Sequence, residues 1–170
     1  EDVAVKRMHP QSMQGADEFN AEIRVLSTLR DPSLVRLLGH ARNGDVEFCL
    51  VYELCEGGTL EDKLRGRDAF DWDWRLCVVR DAIKGLFYLH TQGETQCFIH
   101  GDVKTANILL QGRNAKLADF GLARQMDKSQ THVGTRSLTG SWGYICPHFA
   151  RTGQTSPASD VYAFGVVLLE

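Results

Sequence analysis

Asp102, Lys104, Asn107 and Asp119 are residue types that could together move a phosphoryl group. Such a transfer needs four things. The donor's negative charge must be held, a magnesium ion needs oxygen ligands, the attacking hydroxyl needs a proton acceptor, and all must be aligned in line. Asp102 lies two residues after His100, at a strand-to-loop junction, and suits the acceptor. Lys104 can meet the transferring charge. Asn107 offers an amide oxygen and Asp119 a carboxylate, both hard ligands for magnesium. Gly121, two residues after Asp119, allows a sharp turn behind it.

A second pair lies near the start. Lys6 follows Val3, Ala4 and Val5 on an alternating, strand-like pattern and could approach the phosphates. Glu22 sits three residues after Phe19 and four before Leu26, on the apolar side of a helical pattern over Ala16 to Leu29. A carboxylate there faces the protein and can hold Lys6.

The elements that must position these groups follow from periodicity. Asp31-Pro32 ends the first helix. Leu34 to Leu38 and Glu47 to Tyr52 read as strands, with a turn at Asn43-Gly44-Asp45. Met8 to Gln14 reads as a connection. Glu56-Gly57-Gly58 is a flexible break, and Thr59 to Asp62 can cap a short helix. A long helix is expected from Asp73 to His90, with Leu76, Val79, Ile83, Leu86 and Leu89 as its buried stripe. Three short apolar runs follow, Phe98-Ile99, Ile108 to Leu110 and Ala115 to Ala118. Arg124 to Thr139 is polar and reads as a mobile loop, and Ser159 to Glu170 returns to helix.

Bulk properties narrow the class. The 170 residues are 43% hydrophobic and 24% charged, which excludes disorder and fibrous repeats. A net charge of −3 gives no basis for binding nucleic acid or a membrane in bulk. The five cysteines form no C-x-x-C pair, which argues against a zinc site and for reduced thiols. Both ends fall inside patterned elements, so the chain reads as a fragment of a longer protein.

In order and spacing the motifs resemble those of the eukaryotic protein kinases. Val3-Ala4-Val5-Lys6 matches the strand lysine motif, and Glu22 the helix carboxylate that pairs with it. His100-Gly101-Asp102 through Asn107 resembles the catalytic loop, and Asp119-Phe120-Gly121 the metal-binding motif. Asp160 to Gly165 is similar to the helix whose Asp props up that loop. Leu50 to Glu53 followed by Gly57 to Leu60, and Gly143 to Pro147, narrow the resemblance to plant receptor-like and interleukin-receptor-associated Ser/Thr kinases.

The resemblance implies an α+β, two-lobed kinase fold truncated at both ends. Residues 1–55 would form a small β-rich lobe and 56–170 a helical lobe. It implies ATP and magnesium as cofactors and a protein substrate bearing Ser or Thr. Asp102 would be the base and Lys104 the charge stabiliser, with Asn107 and Asp119 on metal. Lys6, positioned by Glu22, would hold phosphate. Tyr52 would be the gatekeeper, the backbones of Glu53 and Cys55 would bond the adenine, and Ala4 and Leu109 would sandwich it. Leu26, Leu37, His100 and Phe120 would stack as a regulatory spine. The expected place of action is the cytoplasm or the cytosolic face of the plasma membrane, with attachment only through regions outside this chain.

The sequence departs from the family at three places. The glycine-rich phosphate lid would lie before residue 1. Gly101 replaces the usual Arg, which points to a loop that is ordered without phosphorylation. In a third segment His148 stands where the family has Glu, and Ser141 where it has Thr. The alternative reading is a pseudokinase or scaffold that keeps the fold and binds nucleotide without transfer. Retention of Lys6, Asp102 and Asp119 argues against it.

Overall fold

A computed structural model describes residues 2–8, 13–44, 47–66, 70–135 and 139–170. Asp45 of the expected turn, residues 9–12 of the expected connection and residues 136–138 of the expected loop lie outside the described residues.

The first part is a three-stranded antiparallel sheet with one helix. Strands β1 (Val3–Met8), β2 (Leu37–Asn43) and β3 (Glu47–Glu53) pair in the order β1-β3-β2. β3 alternates as expected, and Phe48, Leu50 and Tyr52 point into the core. On β1 the inward residues are Ala4, Lys6 and Met8, while Val3 and Val5 face out. Helix α1 (Met13–Thr28) lays Phe19, Val25 and Leu26 on this sheet. The Phe19 ring stacks on Phe48 at 4.7 Å.

The expected strand at Leu34 to Leu38 is displaced: β2 starts at Leu37. Residues 33–35 instead bind another partner. Val35 N–H donates to Leu117 O at 2.8 Å, and Leu117 N–H donates to Ser33 O at 2.8 Å. These bonds tie the first part to the second.

The second part is built on helix α3 (Trp72–Thr91), capped by Asp71, whose side chain accepts the Trp74 N–H. α3 backs the hairpin of β5 (Ile108–Gln111) and β6 (Asn114–Leu117). Its buried face is Val78, Asp81, Ala82, Gly85, Leu86 and Leu89. The expected stripe is therefore wrong at Leu76 and Ile83, which are each 48% exposed. The reason is close approach. A Cβ on Gly85 would stand 2.9 Å from Leu117 Cδ1 and 3.0 Å from Ser33 O, so the hairpin comes closest at a glycine, which lies on one face with Val78, Ala82 and Leu89 and not with Leu76 and Ile83.

Short helix α2 (Leu60–Arg65) carries the expected cap, with Thr59 and Asp62 bonding reciprocally. The glycines before it are fixed rather than a free break. Gly57 N–H donates to Leu110 O, Leu110 N–H donates to Gly58 O, and a Cβ on Gly57 would fall 2.6 Å from Leu110 O. The expected loop from Arg124 to Thr139 contains two strands. β7 (Arg124–Asp127) pairs with β4 (Gln96–Ile99), and β8 (Val133–Gly134) pairs with β9 (Gln154–Thr155). Periodicity could not find β7, because only Met126 of it is buried. Helices α4 (Pro147–Thr152) and α5 (Pro157–Leu169) complete the chain. One buried apolar cluster runs through both parts, from Phe48 and Leu50 to Leu86, Leu117 and Phe164.

Candidate active site

Three polar clusters meet where the two parts join. The first fixes the loop after β4. Asp160, in the first turn of α5, is buried and accepts at three points. His100 N–H reaches its Oδ2 at 2.8 Å and Gly101 N–H its Oδ1 at 2.9 Å, while His90 Nε2 lies 2.8 Å from Oδ2. The His100 ring donates from Nε2 to Ala118 O at 3.1 Å and accepts at Nδ1 from Asp102 N–H at 3.3 Å, which selects one tautomer. The same ring lies 4.9 Å from that of Phe120. Leu26, Leu37 and Phe120 belong to the common core.

Gly101 has a physical reason to be glycine. Its φ is +81°, and a Cβ would sit 2.8 Å from Leu122 O, a backbone atom that cannot swing away. Gly101→Ala should therefore destabilise the intact protein by about 1–3 kcal/mol. A urea midpoint unchanged from wild type would show that the loop relaxes freely.

The second cluster surrounds Asp102. Asn107 Nδ2 donates to Asp102 O at 2.8 Å and to its Oδ2 at 3.0 Å. Lys104 Nζ lies 2.8 Å from the same Oδ2. Ser141 covers the other oxygen, with N–H at 3.0 Å and Oγ at 2.8 Å from Oδ1. Lys104 Nζ also donates to Ser141 Oγ at 2.7 Å. The carboxylate is thus held in one orientation by four donors. Asn107 spends its NH₂ group here, so its amide oxygen is the atom left for a metal. Ser141 is the site residue that motif reading undervalued. Its hydroxyl, noted as a mere substitute for Thr, bridges Asp102 and Lys104.

The third cluster is Lys6 with its carboxylates. Lys6 Nζ stands 2.5 Å from Glu22 Oε1 and 2.8 Å from Asp119 Oδ1. Tyr52, inward on β3, donates its hydroxyl to Glu22 Oε2. Sequence reading placed Tyr52 beside the adenine and missed this bond. The signal was its alternation with Leu50 and Phe48, which turns it inward. Asp119 has φ +63°, the single left-handed non-glycine among the described residues, so the chain holds it in a strained conformation beside Lys6.

Burial pushes the Glu22 carboxyl up to about 7, against the pull of Lys6. Burial would lower the Lys6 ammonium, but Glu22 and Asp119 outweigh it and raise it. Burial would likewise raise Asp119, and Lys6 outweighs it and lowers it. The sign for Glu22 follows from linkage. The folded chain binds this proton more tightly than the unfolded chain does. The stabilisation is full below the ordinary carboxylate range and is lost as pH rises through about 7. In metal-free buffer, stability should fall as pH rises from the ordinary carboxylate range to about 7 and level off above it, and Glu22→Gln should flatten that interval. Equal slopes for the two proteins in urea titrations would refute it.

The remaining expected residues line the junction. Glu53 N–H is taken by Arg36 O at 3.0 Å, and its carboxylate holds Lys116 Nζ at 2.9 Å. Cys55 is half-buried, and burial pushes its thiol up. Ala4 and Leu109 are half-buried and pack on the core. His148 is exposed, with its ring 5.3 Å from that of His132. Among the described residues no three His, Cys, Asp or Glu side chains converge as a metal site. One carboxylate and one amide oxygen nonetheless suit magnesium, which keeps several waters and takes substrate phosphates.

Comparison with known proteins shows the family. The family model for protein tyrosine and serine/threonine kinases matches residues 1–170. An Arabidopsis thaliana protein named probable receptor-like protein kinase is 47% identical over 99% of this chain, which covers 19% of that relative. Serine/threonine-protein kinase PBL36 of the same plant is 46% identical over 99% of the chain and 35% of the relative. L-type lectin-domain containing receptor kinase V.9, also from that plant, is 43% identical over 99% and 25%. The chain belongs to the eukaryotic protein kinase family. It thus spans between 19% and 35% of the length of these relatives. Members of the family use ATP and magnesium.

Proposed function

We propose that this chain forms the catalytic stretch of a receptor-like Ser/Thr protein kinase, which moves the γ-phosphoryl group of ATP to a protein hydroxyl. The observation that carries the reading is Asp102, held by four donors next to Lys104 and Asn107. Asp102 accepts the proton of the substrate hydroxyl as its oxygen bonds to phosphorus and the bond to the ADP oxygen breaks. Lys104 meets the charge of the group in transfer. Lys6, oriented by Glu22, holds phosphate. When bound at Asn107 and Asp119, magnesium neutralises phosphate charge.

Adenine would lie between Ala4 and Leu109, in front of Tyr52. It would bond the Glu53 carbonyl, since the Glu53 amide is taken, and the Cys55 backbone. Lys104, bridging Asp102 and Ser141, is the family's Ser/Thr pattern and favours those hydroxyls over tyrosine. All five cysteines are free thiols, which suits a reducing compartment. Among the described residues no helix is long and apolar enough to cross a membrane. We place the chain in the cytoplasm or at the cytosolic face of the plasma membrane, acting on protein and not nucleic acid.

The test is transfer of labelled γ-phosphate from ATP and magnesium by the intact protein to peptide libraries with a single acceptor type. Label on Ser and Thr is expected. Label on Tyr alone would overturn the specificity. Nucleotide binding without any transfer would establish the scaffold reading instead.

A further inference from the structure

His132 and His148 come together from two separate parts of the chain. His132 lies between β7 and β8, and His148 is the second residue of α4. Their rings stand 5.3 Å apart, centre to centre, with 33° between their planes. Both residues are exposed, so burial in the core does not account for the meeting.

The backbone sets this approach. Directly after His132, β8 pairs with β9, with Val133 opposite Thr155 and Gly134 opposite Gln154. Thr135 extends the junction, since its N–H and its hydroxyl both donate to Gly153 O, at 2.9 and 3.1 Å. Gly153 also ends α4, with φ +66° and its N–H on Phe149 O. The Thr152 hydroxyl donates to His148 O at 2.8 Å within the same helix. One run of hydrogen bonds therefore holds both Cα positions, while the exposed rings can still turn.

The ring nitrogens suit a metal ion. Thr131 Oγ1 lies 2.9 Å from His132 Nδ1. An outer contact of this kind fixes the tautomer of a ligating imidazole and leaves Nε2 for the ion. The His148 ring makes no hydrogen bond among the described residues, so its nitrogens are available. Two imidazoles that share a tetrahedral ion, at a metal–nitrogen distance of about 2.0–2.1 Å, put their ring centres about 5 Å apart. The observed separation meets that requirement. Among the described residues no third His, Cys, Asp or Glu completes the set, so water would fill the other positions. Imidazole suits zinc, nickel and copper, whereas magnesium prefers oxygen. Arg151 is one turn further along α4 and carries positive charge, so the affinity must come from nitrogen coordination.

We propose that His132 and His148 together bind one divalent ion of the zinc and nickel class, which ties the loop between β7 and β8 to α4. The site stands apart from Asp102, Asn107 and Asp119, and its test needs no phosphoryl transfer. The intact protein, His132→Phe and His148→Phe are titrated with zinc and with nickel in excess magnesium, by calorimetry and by hydrogen exchange. Phenylalanine keeps a ring at the contact and removes the nitrogens. The wild type should bind one ion that each variant binds about tenfold or more weakly, since even an outer-shell partner is worth about 10-fold in metal affinity. The double variant should be little worse than either single one, because one nitrogen alone holds the ion poorly. Bound ion should slow exchange over residues 131–135 in the wild type only. Wild-type affinity in both single variants would place the ion elsewhere, on the thiols for example, and overturn the site. A wild type that binds no zinc or nickel overturns it as well. Exchange over residues 131–135 that the ion leaves unchanged overturns the tie between loop and helix.

Discussion

Asp102→Asn should lower kcat by about 10²–10⁴-fold in the intact protein, the range for losing a general base. The geometry says why the loss is chemical as well as positional. Each carboxylate oxygen of Asp102 accepts from two donors: Ser141 N–H and Oγ on one, Asn107 and Lys104 on the other. An Asn side chain can satisfy only one side, because its NH₂ would face donors on the other. It also cannot take up the proton of an attacking hydroxyl. The variant should therefore lose about 1–3 kcal/mol of stability as well, the cost of leaving buried donors unpaired. The two losses separate by measurement. Urea unfolding reads the second, and single-turnover transfer in folded protein reads the first. KM for ATP should change little, since Lys6, Glu22 and Asp119 form a separate cluster. Unchanged single-turnover transfer would remove Asp102 from the role of base.

Which residues gather at the candidate site was largely legible, because phosphoryl-transfer chemistry would force residue type and order. Lys6 on the inward face of β1 can be tolerated only with carboxylates waiting for it. Glu22, three residues from Phe19 and four from Leu26, could be placed on the buried face by counting alone. The fold class was legible for the same reason, since strand and helix periods are local. What failed to read was set by distant partners. Leu76 and Ile83 looked like the core face of α3, but that face runs through Val78, Ala82, Gly85 and Leu89, and the β5–β6 hairpin comes closest at Gly85, which carries no apolar side chain to signal it. Ser141 gains its role only when the chain returns 39 residues later to Asp102. The Tyr52–Glu22 bond joins β3 to α1 and has no local signature. Gly101 read as a missing Arg, yet in the structure it is a backbone requirement, with φ +81°.

The largest effect on stability should come from a residue that touches no substrate. Asp160→Ala should destabilise the intact protein by roughly 3–5 kcal/mol, a large share of the about 5–15 kcal/mol that holds a domain together. The carboxylate is 2% exposed, and water cannot replace it. Its removal strands the His100 and Gly101 amides, each at about 1–3 kcal/mol, and leaves His90 without its partner. The same amides set the backbone from which Asp102 projects, and Asp102 N–H bonds the His100 ring. Transfer should therefore fall even in molecules that stay folded. Asp160→Asn separates the two roles. One amide oxygen can still accept from one backbone N–H, so about half of the stability loss should return while turnover stays depressed. His90→Ala should cost less than either, because it leaves both backbone amides paired. An Asp160→Ala protein with a wild-type urea midpoint would mean that the loop after β4 holds its own shape. The placement of Asp102 would then have to come from Asn107, Lys104 and Ser141 alone.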